Sequence, residues 1–304
     1  MNCLEWKNVI QLYMNCIELY IDREAGRMQK LERALRRIAV WLFALMVYCF
    51  AVVIGYAILS GAIWPEASGA NVQVNADLTL DISNSAEGYV MGKVGPNGNY
   101  YKLRVTKDGY QLMYDVAADG EYVTFPLQLG SGNYSFELFR NVGGSKYAQA
   151  GAVNVPVTLE NDYVPFLLPN QYVDYNVDSE AVRISEEICE GLTTDAEKLE
   201  AVRDYIRTNY TYDNNKAATV QAGTLPSIDY LLQNHMGICQ DIAATVACML
   251  RVQGIPTQLV IGYANKYYHA WNNVLIDGQY QLVDVTAELN SAYVGVTYTV
   301  ERFY

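Results

Sequence analysis

The sequence predicts an α+β protein: one apolar span, then an all-β module, then a mixed module in which helices and short strands alternate. Three observations predict it. From Ile38 to Pro65 there is no charged residue. From Asn71 to about Leu159 the chain breaks into short alternating runs divided by Gly, Asn and Asp turns. From Asp178 onward helical spacing returns and leads into a cysteine, a histidine and an aspartate in short, well-formed contexts.

Residues 1–37 read as helical. Ile10, Met14, Ile17, Ile21, Met28, Leu31, Leu35 and Ile38 follow steps of three and four, interrupted by Glu24. The stripe fits a two-stranded coiled coil, a membrane-surface helix, or a helix that continues into the span. The first of these would make a homodimer through residues 10–38. The apolar core from Ile38 to Leu59 is long enough to cross a bilayer as a helix and longer than a signal-peptide core, so residues 38–64 are expected to be a transmembrane anchor. Cleavage after Ala67 or Gly69 is the alternative. Arg33, Arg36 and Arg37 precede the span and the first charge after it is Glu66, which puts residues 1–37 in the cytoplasm and residues 65–304 outside the cell membrane.

Residues 70–160 form the β-module. Strand candidates are 78–82, 89–94, 101–105, 111–116, 122–127, 134–139 and 153–159, separated by turn signals such as Asp108-Gly109, Asp119-Gly120 and Gly143-Gly144. This number of strands at this spacing suggests an immunoglobulin-like sandwich. Its tyrosines fit strand packing or a ligand surface. Residues 160–177, with Pro165 and Pro169, would link it to the next module.

Residues 178–304 carry the chemistry. Ser179 to Glu190 and Thr194 to Asn209 are amphipathic, and Thr194 with Glu197 fits a capping box. Gly237 allows a tight turn before Cys239; Ile242, Val246, Met249 and Leu250 continue at helical spacing until Gly254 and Pro256 stop the helix. Cys239 is therefore expected at a helix N-terminus, where free amides and the macrodipole favour negative charge on the sulfur and could cradle an oxyanion. Strands follow at Pro256 to Tyr263, at Tyr267 to Ile276 and at Tyr280 to Val285. Asp277-Gly278 is a strong hairpin turn. Centring the turn there pairs residues whose numbers sum to about 555, so Asp284 falls near Asn272 or Trp271, within reach of His269.

A cysteine in a helix is usually a small buried hydrophobe, and that is the reading for Cys189 and Cys248. For Cys239 the glycine, the helix start, the histidine strand and the aspartate strand agree on a nucleophile with a base and an orienting acid. Asp284 could instead end a strand or cap a turn, and His235 reads as a loop residue. No ligand pairs stand at structural-zinc spacing, and no nucleotide or calcium motif appears, so neither metal nor cofactor is expected.

The segment from about Asp178 to about Leu289 resembles the transglutaminase-like superfamily of papain-type thiol enzymes, in a membrane-anchored, bacterial-type form. The matching residues are Tyr210-Thr211-Tyr212-Asp213, Tyr230-Leu231-Leu232, Gly237-Ile238-Cys239-Gln240-Asp241, Gly254-Ile255-Pro256, Gly262-Tyr263 and His269-Ala270-Trp271-Asn272. The resemblance implies Cys239 as nucleophile, His269 as base and acid, Asp284 as orienter of His269, and a cysteine-bearing helix packed on an antiparallel sheet. Members often carry glutamate where Asn273 stands. Gln233 stands six residues before Cys239, a spacing similar to that of the oxyanion-supporting glutamine of papain-like proteases; its plain alternative is a helix-surface residue. Gln240 and Trp271 are further candidates for cleft support, Trp271 as a wall or a core residue.

The net charge of −12 divides into about +2 over residues 1–64 and about −14 over residues 65–304. An acidic exterior excludes nucleic acid as a simple electrostatic partner. Acyl transfer at amides is the expected chemistry, with a protein, peptide or cell-wall peptide as substrate. Hydrolysis leads, transglutaminase-type cross-linking is the enzymatic alternative, and a non-catalytic surface-binding protein is the alternative of another class.

Overall fold

The strand runs pair into two four-stranded antiparallel sheets in a computed structural model that describes residues 62–290 and 296–304, with Trp41, Leu42, Leu45 and Met46. The first sheet joins β1 (Val72–Asn75), β2 (Leu78–Asp81), β3 (Tyr89–Lys93) and β6 (Val123–Pro126) in the order β1-β2-β3-β6. The second joins β4 (Tyr101–Lys107), β5 (Tyr110–Val116), β7 (Gly132–Gly143) and β8 (Lys146–Val157) in the order β5-β4-β7-β8. Alternation puts Leu103, Val105, Leu112, Tyr114, Phe136 and Leu138 inward from one sheet, against Leu80, Val90 and Phe125 from the other. The ring of Tyr114 meets that of Phe125 edge-on at 5.1 Å. The Tyr134 hydroxyl closes the turn before β7, accepting from Leu129 N at 3.0 Å and facing the carbonyls of Leu127 and Gly130.

Sequence patterning finds these strands but misses β1 and most of the arm of β8. Residues 146–150 are mostly exposed, so no buried face imposes alternation there; pairing with β7 holds them.

The second half contains α1 (Glu180–Ile188), α2 (Asp195–Asn209), a short parallel pair β9 (Thr211–Tyr212) and β10 (Met236–Gly237), α3 (Asn214–Thr219), α4 (Ile228–Asn234) and α5 (Cys239–Arg251). Thr194 caps α2 reciprocally with Glu197 as its spacing predicts. A third antiparallel sheet follows, in the order β13-β12-β11-β14, from β11 (Thr257–Ala264), β12 (Tyr267–Ile276), β13 (Gln279–Val283) and β14 (Tyr298–Phe303), with α6 (Val285–Leu289) between β13 and β14. Helix α5 is buried from Asp241 to Arg251 and packs on β11 and β12, giving the expected cysteine helix on an antiparallel sheet.

Residues 60–304 make one compact unit. The stretch 160–177 is packed inside it, with Leu168 and Val173 fully buried. Tyr172 stacks on Tyr304 with ring centroids 3.5 Å apart, Phe166 touches Phe303, and the Tyr110 hydroxyl of β5 donates to the Glu301 carbonyl of β14. The buried guanidinium of Arg251 donates to the carbonyls of Thr257, Leu168 and Tyr304 at 2.9, 2.6 and 2.9 Å, binding helix, connecting stretch and last strand together.

The expected helix over residues 10–38 lies outside the described residues. The expected span over residues 38–64 is described only at Trp41, Leu42, Leu45 and Met46, which are helical, and from residue 62. Among the described residues no helix is long and apolar enough to cross a membrane.

Candidate active site

Cys239 is the first residue of α5, half-buried, at the positive end of the helix dipole. The turn before it is held from below. Asp241, fully buried, accepts from Ile238 N at 3.0 Å, from Ser227 N at 2.9 Å and from Lys216 Nζ at 2.7 Å. Lys216 also lies 3.8 Å over the Tyr230 ring, whose hydroxyl donates to Asp213. A paired buried charge with three donors is satisfied, and it ties α3, α4 and the start of α5 to one carboxylate. Gly237 has no room for a side chain: a Cβ would come within 2.8 Å of Leu231 and 3.1 Å of Asp241.

His269 lies on β12, buried, opposite Gly262 of β11. Its Nε2 donates to Asp284 Oδ2 at 2.7 Å, which leaves Nδ1 to face Cys239, to which the ring is also hydrogen-bonded. Burial opposes the imidazolium, yet the hydrogen bonds and negative charge of Asp284 and Cys239 outweigh it, and the His269 pKa is pushed up to about 9. The hairpin register holds, since Asn272 pairs with Val283. The third strand ends two residues earlier than its pattern suggests, because Asp284 leaves the sheet to cap α6. Its Oδ1 accepts from Ala287 N at 2.9 Å, while Oδ2 takes His269 and, at 2.7 Å, the Tyr298 hydroxyl. The capping role and the histidine contact coexist in one carboxylate.

Trp271 is a core residue rather than a cleft wall. It is 1% exposed and lies between the His269 ring at 6.3 Å and the Tyr298 ring at 5.0 Å. Gln240 does line the cleft and donates to the Thr224 carbonyl at 3.1 Å. Gln233 does not: the inward face of α4 is set by Ile228 and Leu231, which leaves Gln233 exposed and outside the cleft lining. Cys189 and Cys248 are buried, and burial pushes both thiols up. Among the described residues no cluster could hold a metal ion.

The cleft has a volume of about 350 Å³. Cys239, His269 and Gln240 line it together with residues 220–224, and Tyr172, Tyr268 and Arg302 belong to the lining as well. Tyr172, Tyr298 and Arg302 escape sequence reasoning because they come from segments without a motif.

Strand β14 reaches the site through one close approach. It pairs with β11 through an irregular register at Ile261/Gly262, and a Cβ on Gly262 would stand 2.0 Å from the Thr299 carbonyl oxygen. Gly262→Ala is expected to push β14 outward, destabilise the fold by about 2–3 kcal/mol and slow alkylation of Cys239, because Tyr298 then leaves Asp284. Thermal unfolding together with intact-mass labelling would show this; wild-type stability would mean that β14 adjusts at no cost.

Residues 182–285 match the family described as Transglutaminase-like superfamily. Among solved structures, the chain is similar to a candidate cysteine protease from Cytophaga hutchinsonii, at 14% identity over 77% of this chain and 90% of that one, with a TM-score of 0.37. It is also similar to a candidate protease from Parabacteroides distasonis ATCC 8503, at 18% identity over 62% of this chain and 38% of that one, TM-score 0.31. A third similarity is to a TGase, at 17% identity over 54% of this chain and 46% of that one, TM-score 0.29. No curated protein matches the chain. Residues 182–285, which hold the cysteine helix, the histidine strand and the aspartate, are thus the part of this chain that is similar to the transglutaminase-like superfamily.

Proposed function

We propose that the protein is a cysteine-dependent amide hydrolase that acts on a protein, a peptide or a cell-wall peptide. The carrying observation is the buried His269–Asp284 hydrogen bond of 2.7 Å, on a ring that is hydrogen-bonded to Cys239 as well. Cys239 passes its proton to His269 and attacks the carbonyl carbon. The developing oxyanion is placed for the amides at the start of α5. As the tetrahedral intermediate collapses, the imidazolium protonates the leaving amine, and water, deprotonated by the now neutral ring, resolves the thioester. Asp284 holds the ring with Nε2 protonated, so that Nδ1 handles the moving proton.

The β-rich half is read as an immunoglobulin-like sandwich. The orders β2-β3-β6 and β5-β4-β7-β8 support this, as does Tyr134, whose hydroxyl ties back to the turn before its own strand. Anchoring by residues 38–64, with the site outside the cell, remains the reading of the apolar span and its flanking arginines.

The test is the rate of Cys239 alkylation by iodoacetamide against pH in the full chain, followed by intact mass, with His269→Ala alongside. Fast labelling near neutral pH that His269→Ala slows by about a hundredfold is expected. Labelling at the rate of a free cysteine in both proteins would overturn the proposal. Turnover should fall as pH rises through about 9, because the amine leaves only while His269 can donate a proton. The stability that the raised histidine pKa contributes is complete below about 6.5 and is lost across the same upper interval. Ammonia release with mass gain from a joined amine would move the assignment to transamidation.

A further inference from the structure

Resting on the acyl-transfer reading, we propose that Arg302 is a carboxylate-binding subsite of the cleft, selecting substrates with a free carboxylate close to the scissile amide. The first ground is position. Arg302 pairs with Ile261 on β11, and Ile261 pairs with Ala270 on β12, next to His269. Two strand spacings, about 10 Å, separate the Arg302 backbone from that of Ala270. The reach of an arginine side chain covers much of this distance, and one or two substrate residues cover the rest.

The second ground is charge. Among the described residues no Asp or Glu belongs to the lining, whereas Arg302 and His269 both do. In a chain of net charge −12, a cleft lined by a guanidinium and free of carboxylates concentrates anions against the surrounding field. The acidic groups near Cys239 are spent below the surface, Asp241 on Lys216 and Asp284 on His269.

The third ground is the state of the guanidinium. It offers five N–H donors. Among the described residues its one hydrogen-bond acceptor is the Tyr268 hydroxyl. Glu301, its nearest acid, stands 3.9 Å from Nη1 with both side chains partly exposed, and Nε is buried without an acceptor. A planar fork in this state matches a carboxylate bidentately, and the tyrosine walls at Tyr172 and Tyr268 strengthen the pairing by displacing water. The carboxylate could come from a chain terminus or from an acidic side chain.

Probes that need no known substrate test the assignment in the full chain. N-iodoacetylglycine is compared with N-iodoacetylglycinamide for the terminal source. The α-amide of N-iodoacetylglutamate is compared with that of N-iodoacetylglutamine for the side-chain source. In each case the Cys239 sulfur forms a thioether and iodide leaves with the bonding pair. Rates are normalised to those of N-acetylcysteine. The acid of one pair is expected to react about tenfold faster than its amide, and the pair that shows it names the source. Arg302→Gln and Arg302→Met should bring that ratio back to the free-thiol value, and Arg302→Lys should keep most of it. Equal normalised rates in the wild type, or a preference that survives both neutral variants, would overturn the subsite while leaving the reactive cysteine in place. Amide probes that label no faster than N-acetylcysteine would overturn the enzyme reading, and this one with it.

Discussion

Asp284→Asn is expected to lower turnover by roughly 10³–10⁴-fold with the fold intact, by analogy with tautomer-reversing changes in other histidine-dependent enzymes. The amide oxygen can keep the cap on Ala287 N, so α6 should persist. The amide nitrogen then faces His269 Nε2 and donates where the carboxylate accepted. The ring must carry its proton on Nδ1, the nitrogen that faces Cys239, and has no lone pair there to take the thiol proton. Loss of the carboxylate also removes the main support for a histidine pKa of about 9. The upper limb of the pH–rate profile should therefore move down in the residual activity. Turnover within tenfold of wild type would sink the orienting role of Asp284. Tyr298→Phe is the milder companion, since it removes only the second donor to Oδ2.

Arg251→Ala has the largest expected effect on stability, a loss of roughly 3–5 kcal/mol. The change leaves a cavity in a fully buried site and strips a donor from the carbonyls of Leu168, Thr257 and Tyr304. Folded domains are stable by about 5–15 kcal/mol, so the variant should approach its unfolding limit near physiological temperature. Chemical denaturation followed by far-UV circular dichroism measures it. A shift below 1 kcal/mol would mean that water or a neighbouring donor replaces the guanidinium.

How much of this was legible depends on whether each contact was local. The hairpin was: Asp277-Gly278 fixes the turn, the turn fixes the Asn272–Val283 pairing, and the pairing delivers Asp284 beside His269. The helix start at Cys239 was legible from Gly237 and from the apolar spacing downstream. Strand β14 was not. Its exposure pattern has no alternation, and its partner lies some forty residues earlier in the chain, so the pairing that brings Tyr298 and Arg302 to the cleft left no periodic trace. Gln233 shows the opposite failure, a spacing matched to another architecture on a helix whose buried face points elsewhere. Asp241 stood within the quoted motif, but its partners Lys216 and Ser227 come from a segment without a pattern of its own.

The packing of residues 160–177 and of β14 against the β-rich half constrains how such a protein can be cut or recombined. A fragment begun at residue 178 would turn Phe303 and Tyr304 to water and lose the Leu168 carbonyl that Arg251 holds. A chimera that exchanged the sandwich would have to reproduce the seat that Tyr110 and Tyr114 provide for Phe303 and Tyr304. The two halves are thus expected to be inherited and engineered as a pair, with the workable breakpoint ahead of residue 62 and not at the proline-bearing stretch between them.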